Sequence, residues 1–275
     1  LSGLKYLVVD LAKTDFFITH LHSDHIGLVS RIVHPNATVY FNEVETGMMV
    51  RAAKEGGFGP GMGNFARLAG FSEVEANESV SRHPGVKYQA HFPIEYTVKR
   101  EGDSIAFGDF QFECVHTPGH STGHLCLLDR DKKLMLCGDH VLAEISPNIG
   151  AWNENDDPLR EYLQSLDKVD ALDVEMGLPG HRRMLPDIHE RIGELKAHHA
   201  ERLDEVQGLL DGQPLSAYDI ASRMTWDLKY DRWEDVNVMQ KWFATGEAIA
   251  HLRYLEADGG VRSGIEDDVA MFWRG

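Results

Sequence analysis

Cysteine is scarce in this chain of 275 residues: there are three, Cys114, Cys126 and Cys137. They are scattered, odd in number and form no C-x-x-C pair. That argues against a disulfide framework or thiol redox motif and fits a reducing compartment. Positive charge is also short, with 27 Lys and Arg against 44 Asp and Glu and a net charge of −17. A surface that binds nucleic acid or anionic lipid needs a basic field, so neither partner is expected. No apolar run approaches membrane-spanning length. No leader-like segment is visible, and the chain opens at Leu1 without a methionine. The expectation is a cytoplasmic protein whose true N-terminus is missing from the sequence as given. Internal repeats and low-complexity tracts are absent as well. The bulk composition is ordinary, 43% hydrophobic and 26% charged, enough for a full core in one large domain or one domain plus a small companion.

What is present is a series of short strands. "LKYLVVD" (4–10) and "DFFITH" (15–20) read as buried strands, and "ATVYFNE" (37–43) alternates as one. The stretch 44–71 has helical flanks around "EGGFGPGMGNF", which reads as a mobile loop or lid. Strands then follow closely: "YTVKRE", "SIAFGDFQFECVH" with a Gly108–Asp109 turn, "HLCLLDRDKKLMLCGD" with a turn near Asp131, and "DVEMGLPGH". Strands with interspersed helices indicate an α/β or α+β layered domain. From 187 the pattern turns helical, with Ile188, Ile192, Leu195, His199, Leu203, Val206 and Leu210 at three-to-four spacing. A short helix, a long helix through Leu255, a "DGG" turn and a strand-like "DVAMFW" complete the outline of a winged helix.

The chemistry concentrates at strand ends. "FFITHLHSDHIG" (16–27) places His20, His22, Asp24 and His25 within six positions beside an apolar strand. "HTPGHSTGH" (116–124) follows a strand and presents His120 in a Pro-Gly turn. "LCGDH" (136–140) ends a strand with Asp139, and a carboxylate there can bridge two cations. "GLPGH" (177–181) ends another with His181. Imidazoles and carboxylates delivered from several strand ends are what a hydrolytic metal site needs.

In order and spacing these motifs resemble the metallo-β-lactamase superfamily, with its HxHxDH followed by a lone His, a lone Asp and a lone His. The resemblance covers residues 1–185. The T-P-G-H and G-D-H forms look closest to the glyoxalase II-like and thioester-hydrolase branches. It implies a four-layer αβ/βα sandwich over 1–186 and two divalent metal ions, zinc first, with iron or manganese as alternatives. His20, His22 and His120 would hold the first ion. Asp24, His25 and His181 would hold the second, with Asp139 bridging. A bridging hydroxide would attack a thioester, ester or lactone carbonyl of a small acyl substrate, and Asp24 would relay the proton. Asp10 would orient a ligand histidine, and His124 and His140 would support the ligands from behind. Members usually carry a glycine turn and a helix between the first Asp-ending strand and HxHxDH. Here only "LAKT" separates them, so a segment near 10–13 is expected to be missing.

The remaining candidates have bland readings beside the sharp ones. Residues 56–64 are a surface loop or a mobile substrate lid over the metals, with Phe58, Met62 and Phe65 offering apolar contact. Arg182 and Arg183 are solvated charges or hold an anionic substrate group. His116 reads as a strand end, His198 and His199 as helix surface and groove, and the cysteines as small core residues. The tail, 187–275, resembles the winged-helix extension of a β-lactamase-like subgroup that includes an endoribonuclease. With about eighteen acidic against ten basic residues it is not expected to enter a groove of DNA. It would pack beside the active site or make a homodimer contact. Two other functions stay open from the same resemblance: an endoribonuclease or phosphodiesterase, and a di-iron redox or oxygen-active protein.

Overall fold

The structure, a computed structural model, describes residues 2–88, 94–152 and 156–275. Three parallel strands form a first sheet in the order β1 (Phe16–Phe17), β2 (Val39–Asn42), β3 (Thr97–Lys99). Five form a second, in chain order: β4 (Ser104–Phe107), β5 (Phe110–His116), β6 (Leu125–Asp129), β7 (Leu134–Gly138) and β8 (Met176–Pro179). A third sheet, ordered β10-β11-β9, is built from β9 (Leu215–Ser216), β10 (Val261–Glu266) and β11 (Val269–Arg274). The helices before the second sheet are α1 (Ser2–Tyr6), α2 (Ser23–Ile26), α3 (Val29–Ile32), α4 (Glu43–Lys54), α5 (Gly59–Ala69), α6 (Glu73–Arg82) and α7 (Pro84–Lys87). Those after its central hairpins are α8 (Pro158–Asp170), α9 (Ile188–Leu209), α10 (Ala217–Arg223) and α11 (Val238–Ala257). Among the described residues, no helix is long and apolar enough to cross a membrane.

Strand alternation explains the layering. All five residues of β6 are buried, which an apolar run achieves only when both faces of its sheet are covered. Leu125 and Leu127 face one way, with Ile105, Phe112 and Cys114, and meet Phe17 and Tyr40 of the first sheet. Cys126 and Leu128 face the other way and meet Leu159, Tyr162 and Leu166 of α8 and Ile188, Ile192 and Leu195 of α9. The outer face of the first sheet, through Ile18, Val39 and Phe41, packs with Ile26, Val29 and Met49 of α2–α4. Helix, sheet, sheet, helix is the expected sandwich. Each fully buried Leu contributes about 2 kcal/mol of transfer free energy, and the three cysteines are free and buried in these cores.

Three expectations need correction. The run 4–10 is not a strand: α1 and its exit turn close backbone bonds on themselves (Leu7 N to Gly3 O, 2.9 Å), and Tyr6, Leu7 and Val8 are exposed. An apolar run is a strand only when an edge accepts its hydrogen bonds, and among the described residues β1 pairs with β2 alone. Residues 56–64 are not a loose loop, because the irregular joint at Gly56 and Gly57 soon gives way to α5, which begins at Gly59 with proline in its first turn. Finally, His199 is fully buried rather than on a helix surface.

The tail packs on the sandwich. Trp242 of α11 sits among Ala66, Ala69, Phe71 and Ala76 of the α5–α6 region and stacks on Trp152, centroids 5.7 Å apart. Lys241 of the same helix donates to Glu75 of α6 at 2.8 Å. α9 serves two cores: Ile188, Ile192 and Leu195 join the sandwich, while Val206 and Leu210 join Ala217, Ile220, Ala248, Leu252 and Phe272.

Candidate metal centre

Sheet direction gathers the site at one edge. β5 and β7 end there, β6 begins there, and β8, parallel to β7, also ends there. Gly180 N donates to Gly138 O at 2.7 Å, which sets His181 beside Asp139. Leu125 N donates to Thr19 O at 2.9 Å, which brings the His20 segment to the same edge. Two glycines make the approach possible. Gly138 has φ +49°, and a Cβ there would lie 2.6 Å from His124 Nε2; a Cβ on Gly180 would lie 2.6 Å from Asp139 Oδ1.

The seven predicted ligands come together. His20, His22 and His120 form one group, and Asp24, His25 and His181 another, each with its ligand atoms within 4.8 Å of one another. His20 Nε2 lies 3.0 Å from His22 Nδ1, and His25 Nε2 lies 3.2 Å from His181 Nε2. Asp24 Oδ2 is 3.1 Å from His181 Nε2. Asp139 reaches both groups: Oδ1 is 3.4 Å from His25 Nε2, and Oδ2 is 3.4 Å from His181 Nε2 and 3.8 Å from His120 Nε2.

Electrostatics favours cations here. Burial, then the neighbouring imidazoles, holds the pKa of His20 well below its ordinary value; burial, then His120, does the same for His22. Burial likewise lowers His120. These rings are therefore neutral and keep lone pairs. Burial opposes a charge on His25, but Asp139 and Asp24 outweigh it and raise its pKa. Burial also opposes ionisation of Asp139, yet His25, His120 and His181 hold its carboxyl below the usual value. His120 Nδ1 donates to Asn148 O at 2.8 Å, so its Nε2 is a lone pair, buried and without a hydrogen-bond partner among the described residues. Converging lone pairs beside a buried carboxylate leave a charge deficit that divalent ions fill.

The supporting predictions fare unevenly. His124 is buried: Thr117 Oγ1 lies 2.8 Å from its Nδ1, and its Nε2 accepts the Asp139 N–H at 3.1 Å. It holds the backbone of the bridge candidate. His140 is buried against Tyr162, whose hydroxyl donates to the His140 carbonyl at 2.9 Å. Asp10 does not orient a ligand. Its carboxylate caps a 3-10 turn at Ala12 N and pairs with Lys13, exposed to solvent. A short connection to β1 leaves it local partners only. Phe58 packs toward the core of the first sheet, and Met62 toward Trp242. Arg182 is exposed at a left-handed turn, φ +70°. His116 ends β5, its Nε2 3.0 Å from Thr122 O.

Several contributors were missed. Thr19 Oγ1 lies 3.0 Å from His20 Nδ1 and 3.5 Å from His25 Nδ1. Glu45, buried on α4, accepts from Ser121 Oγ, from Gly123 N at 3.0 Å and from Leu21 N, so one carboxylate pins both ligand loops. Burial pushes its carboxyl up to about 7. His83, after α6, packs on Trp242 and Phe243. Thr19 adjoins the motif and was readable from it. Glu45 and His83 carry no local signal.

A family model described as the metallo-β-lactamase superfamily matches residues 14–181, and the chain belongs to that superfamily. A second, described as the metallo-β-lactamase-like C-terminal domain, matches 203–274. Among curated proteins the chain is similar to acyl-coenzyme A thioesterase MBLAC2 of Gallus gallus, 31% identical over 60% of this chain and 55% of that protein. It is similar also to the probable metallo-hydrolase YqjP of Bacillus subtilis, 26% identical over 63% of this chain and 53% of that one. The chain thus spans about half the length of these relatives. Among solved structures, a metallo-β-lactamase family protein of Thermus thermophilus aligns with a TM-score of 0.82 at 26% identity, covering 100% of this chain and 84% of that one. A β-lactamase domain protein of Burkholderia ambifaria aligns at 0.80 and 28% identity, covering 95% and 75%.

Proposed function

We propose that this chain hydrolyses an acyl thioester with two divalent ions. The observation that carries the reading is Asp139, a buried carboxylate within 3.8 Å of ligands from both histidine groups. His20, His22 and His120 would hold one ion, and Asp24, His25 and His181 the other. When bound, such a pair supplies a nucleophile from water at neutral pH and stabilises charge developing on the carbonyl oxygen. Zinc suits the imidazole-rich set best, and iron or manganese suits its carboxylates. Asp24 is the exposed member of the set, so it can take the proton from the attacking water and return it to the leaving thiol. Asp139 and the rings of His20 and His120 are buried and keep solvent out.

The thioester is favoured over the ester or lactone because similar curated proteins are named thioesterases: MBLAC2, and an atrochrysone carboxyl ACP thioesterase of Aspergillus fumigatus, 33% identical over 42% of this chain. The acidic tail argues against RNA. In that reading the tail is a winged-helix module whose apolar helix packs on the catalytic layers or a second subunit. The free cysteines support a cytoplasmic setting. The test is elemental analysis of protein prepared without chelator, then a panel of an acyl-CoA, an aryl ester, a lactone, a β-lactam and RNA. Close to two metal ions per chain and preferential acyl-CoA cleavage are expected. Metal-free protein, or cleavage of RNA alone, overturns the reading.

A further inference from the structure

An imidazole that binds a metal through one nitrogen is aimed by what its other nitrogen bonds. For His120 that partner is the carbonyl of Asn148, 2.8 Å away. Asn148 lies in an irregular segment between β7 and α8. A carbonyl there is only as fixed as the contacts that hold the segment.

Those contacts lead to the C-terminal helix. Asn148 Nδ2 donates to the carbonyl of Phe243 and to Glu247 Oε2, both at 3.2 Å. Ala151 N donates to Gly246 O at 3.2 Å, and Trp152 fills the space beside Gly246, 2.6 Å from where a Cβ would stand. Asn148, Ala151 and Trp152 are thereby all anchored on one turn of α11. Glu247 is buried, and the cation paired with it among the described residues is Arg202 of α9, with Nε 4.0 Å from Oε1. Arg202 is itself engaged by Glu205 and the Thr225 carbonyl. A buried carboxylate costs several kcal/mol to desolvate, and a weak contact at 4.0 Å does not offset that alone. The Asn148 amide is its direct hydrogen-bond donor.

We propose that Glu247, acting through Asn148, is a positioning residue for the metal ligand His120, which makes the C-terminal helix a working part of the metal centre. The proposal rests on the reading of His20, His22 and His120 as one metal group. It explains why a helix outside the sandwich carries a buried acid close to its stacked tryptophan. Arg202 sets the outer end of the chain, Glu247 and the Phe243 carbonyl fix the amide, the amide fixes the loop, and the loop carbonyl fixes the ring.

The experiment uses the full chain. Metal affinity is measured by competition with a chromophoric chelator, and the cobalt-substituted protein is examined for its ligand-field absorption. Asn148→Ala and Glu247→Ala are expected to weaken the ion assigned to His20, His22 and His120 by about 10- to 100-fold and to shift the cobalt bands. Glu247→Gln keeps an oxygen for the Asn148 amide and should bind within about three-fold of the parent, whereas Glu247→Leu, of similar volume but with no acceptor, should weaken binding as the alanine variant does, a split that bulk packing does not predict. Glu75→Ala breaks another tie to α11, at Lys241, and should leave affinity and spectrum unchanged. If Glu247→Ala does not fold, Asn148→Ala decides. Folded Asn148→Ala with parental affinity and spectrum overturns the proposal, as does equal weakening in Glu75→Ala. A parent chain that binds no metal overturns the metal-hydrolase reading along with it, whereas a parent that binds two ions beside unaffected variants overturns this proposal alone.

Discussion

Asp139 and His124 are adjacent in space and differ in consequence. Among the described residues Asp139 is the carboxylate that both histidine groups address, so Asp139→Ala removes a charge from two cation positions at once. Metal and activity should be lost together. His124 touches Asp139 only through the backbone N–H, so His124→Ala frees a buried donor at a cost of about 1–3 kcal/mol. It should retain metal while losing affinity by about 10- to 100-fold. Chelator competition on the two variants is the check. The reverse order, with His124→Ala metal-free and Asp139→Ala loaded, would show that the ligands have been misassigned. At this scale the sequence is informative about ligands and poor about their supports. His20 to His25 share one short motif, and His120, Asp139 and His181 each follow a strand and stand directly after a glycine. Glu45, Asn148 and Glu247 have no such setting. Their roles come from loops and helices that meet only after folding, and Asp10 shows the converse, a motif residue stranded on its own turn.

The elements show a similar divide. The hairpins from 104 to 138 were readable because alternation and turn residues agree, as at Gly108 and Asp131. The run 4–10 was misread because apolar character does not supply an edge to pair with. The glycines at 56–63 concealed a helix whose Met62, Phe65, Ala66 and Ala69 already had helical spacing, with Pro60 near its start. α9 and α11 meet through His199 Nδ1 and His251 Nε2, 3.2 Å apart and buried. Burial lowers His251 to about 4 and His199 to about 2. Both folded pKa values lie below the unfolded value near 6.5. As pH falls below about 6.5 the unfolded chain gains protons that the folded chain refuses, so stability drops until about pH 4 for His251 and further for His199. Each contributes at most about 1.4 kcal/mol per pH unit in that window. Denaturant midpoints of the parent and of His199→Gln/His251→Gln, measured from about pH 7 to about pH 4, should therefore converge as pH falls. A constant gap would remove these two groups as the cause.

For the whole molecule the charge balance decides partners. The net charge is −17, and α11 sets Glu247 and Glu256 against Lys241 and Arg253, with both Lys241 and Arg253 in ion pairs. A low-salt binding assay with duplex DNA and structured RNA should show no micromolar association. Binding that weakens as salt is added would promote the nuclease reading.

α9 belongs to two cores at once, its first half to the sandwich and its second half to the tail. Melting either core strips the other of half a helix, and short isolated helices are marginal in water. The two regions are thus bound into one cooperative unfolding unit. A protease that opens the tail would thereby also loosen the floor beneath β6 and β7, the strands that carry Asp139 to the edge.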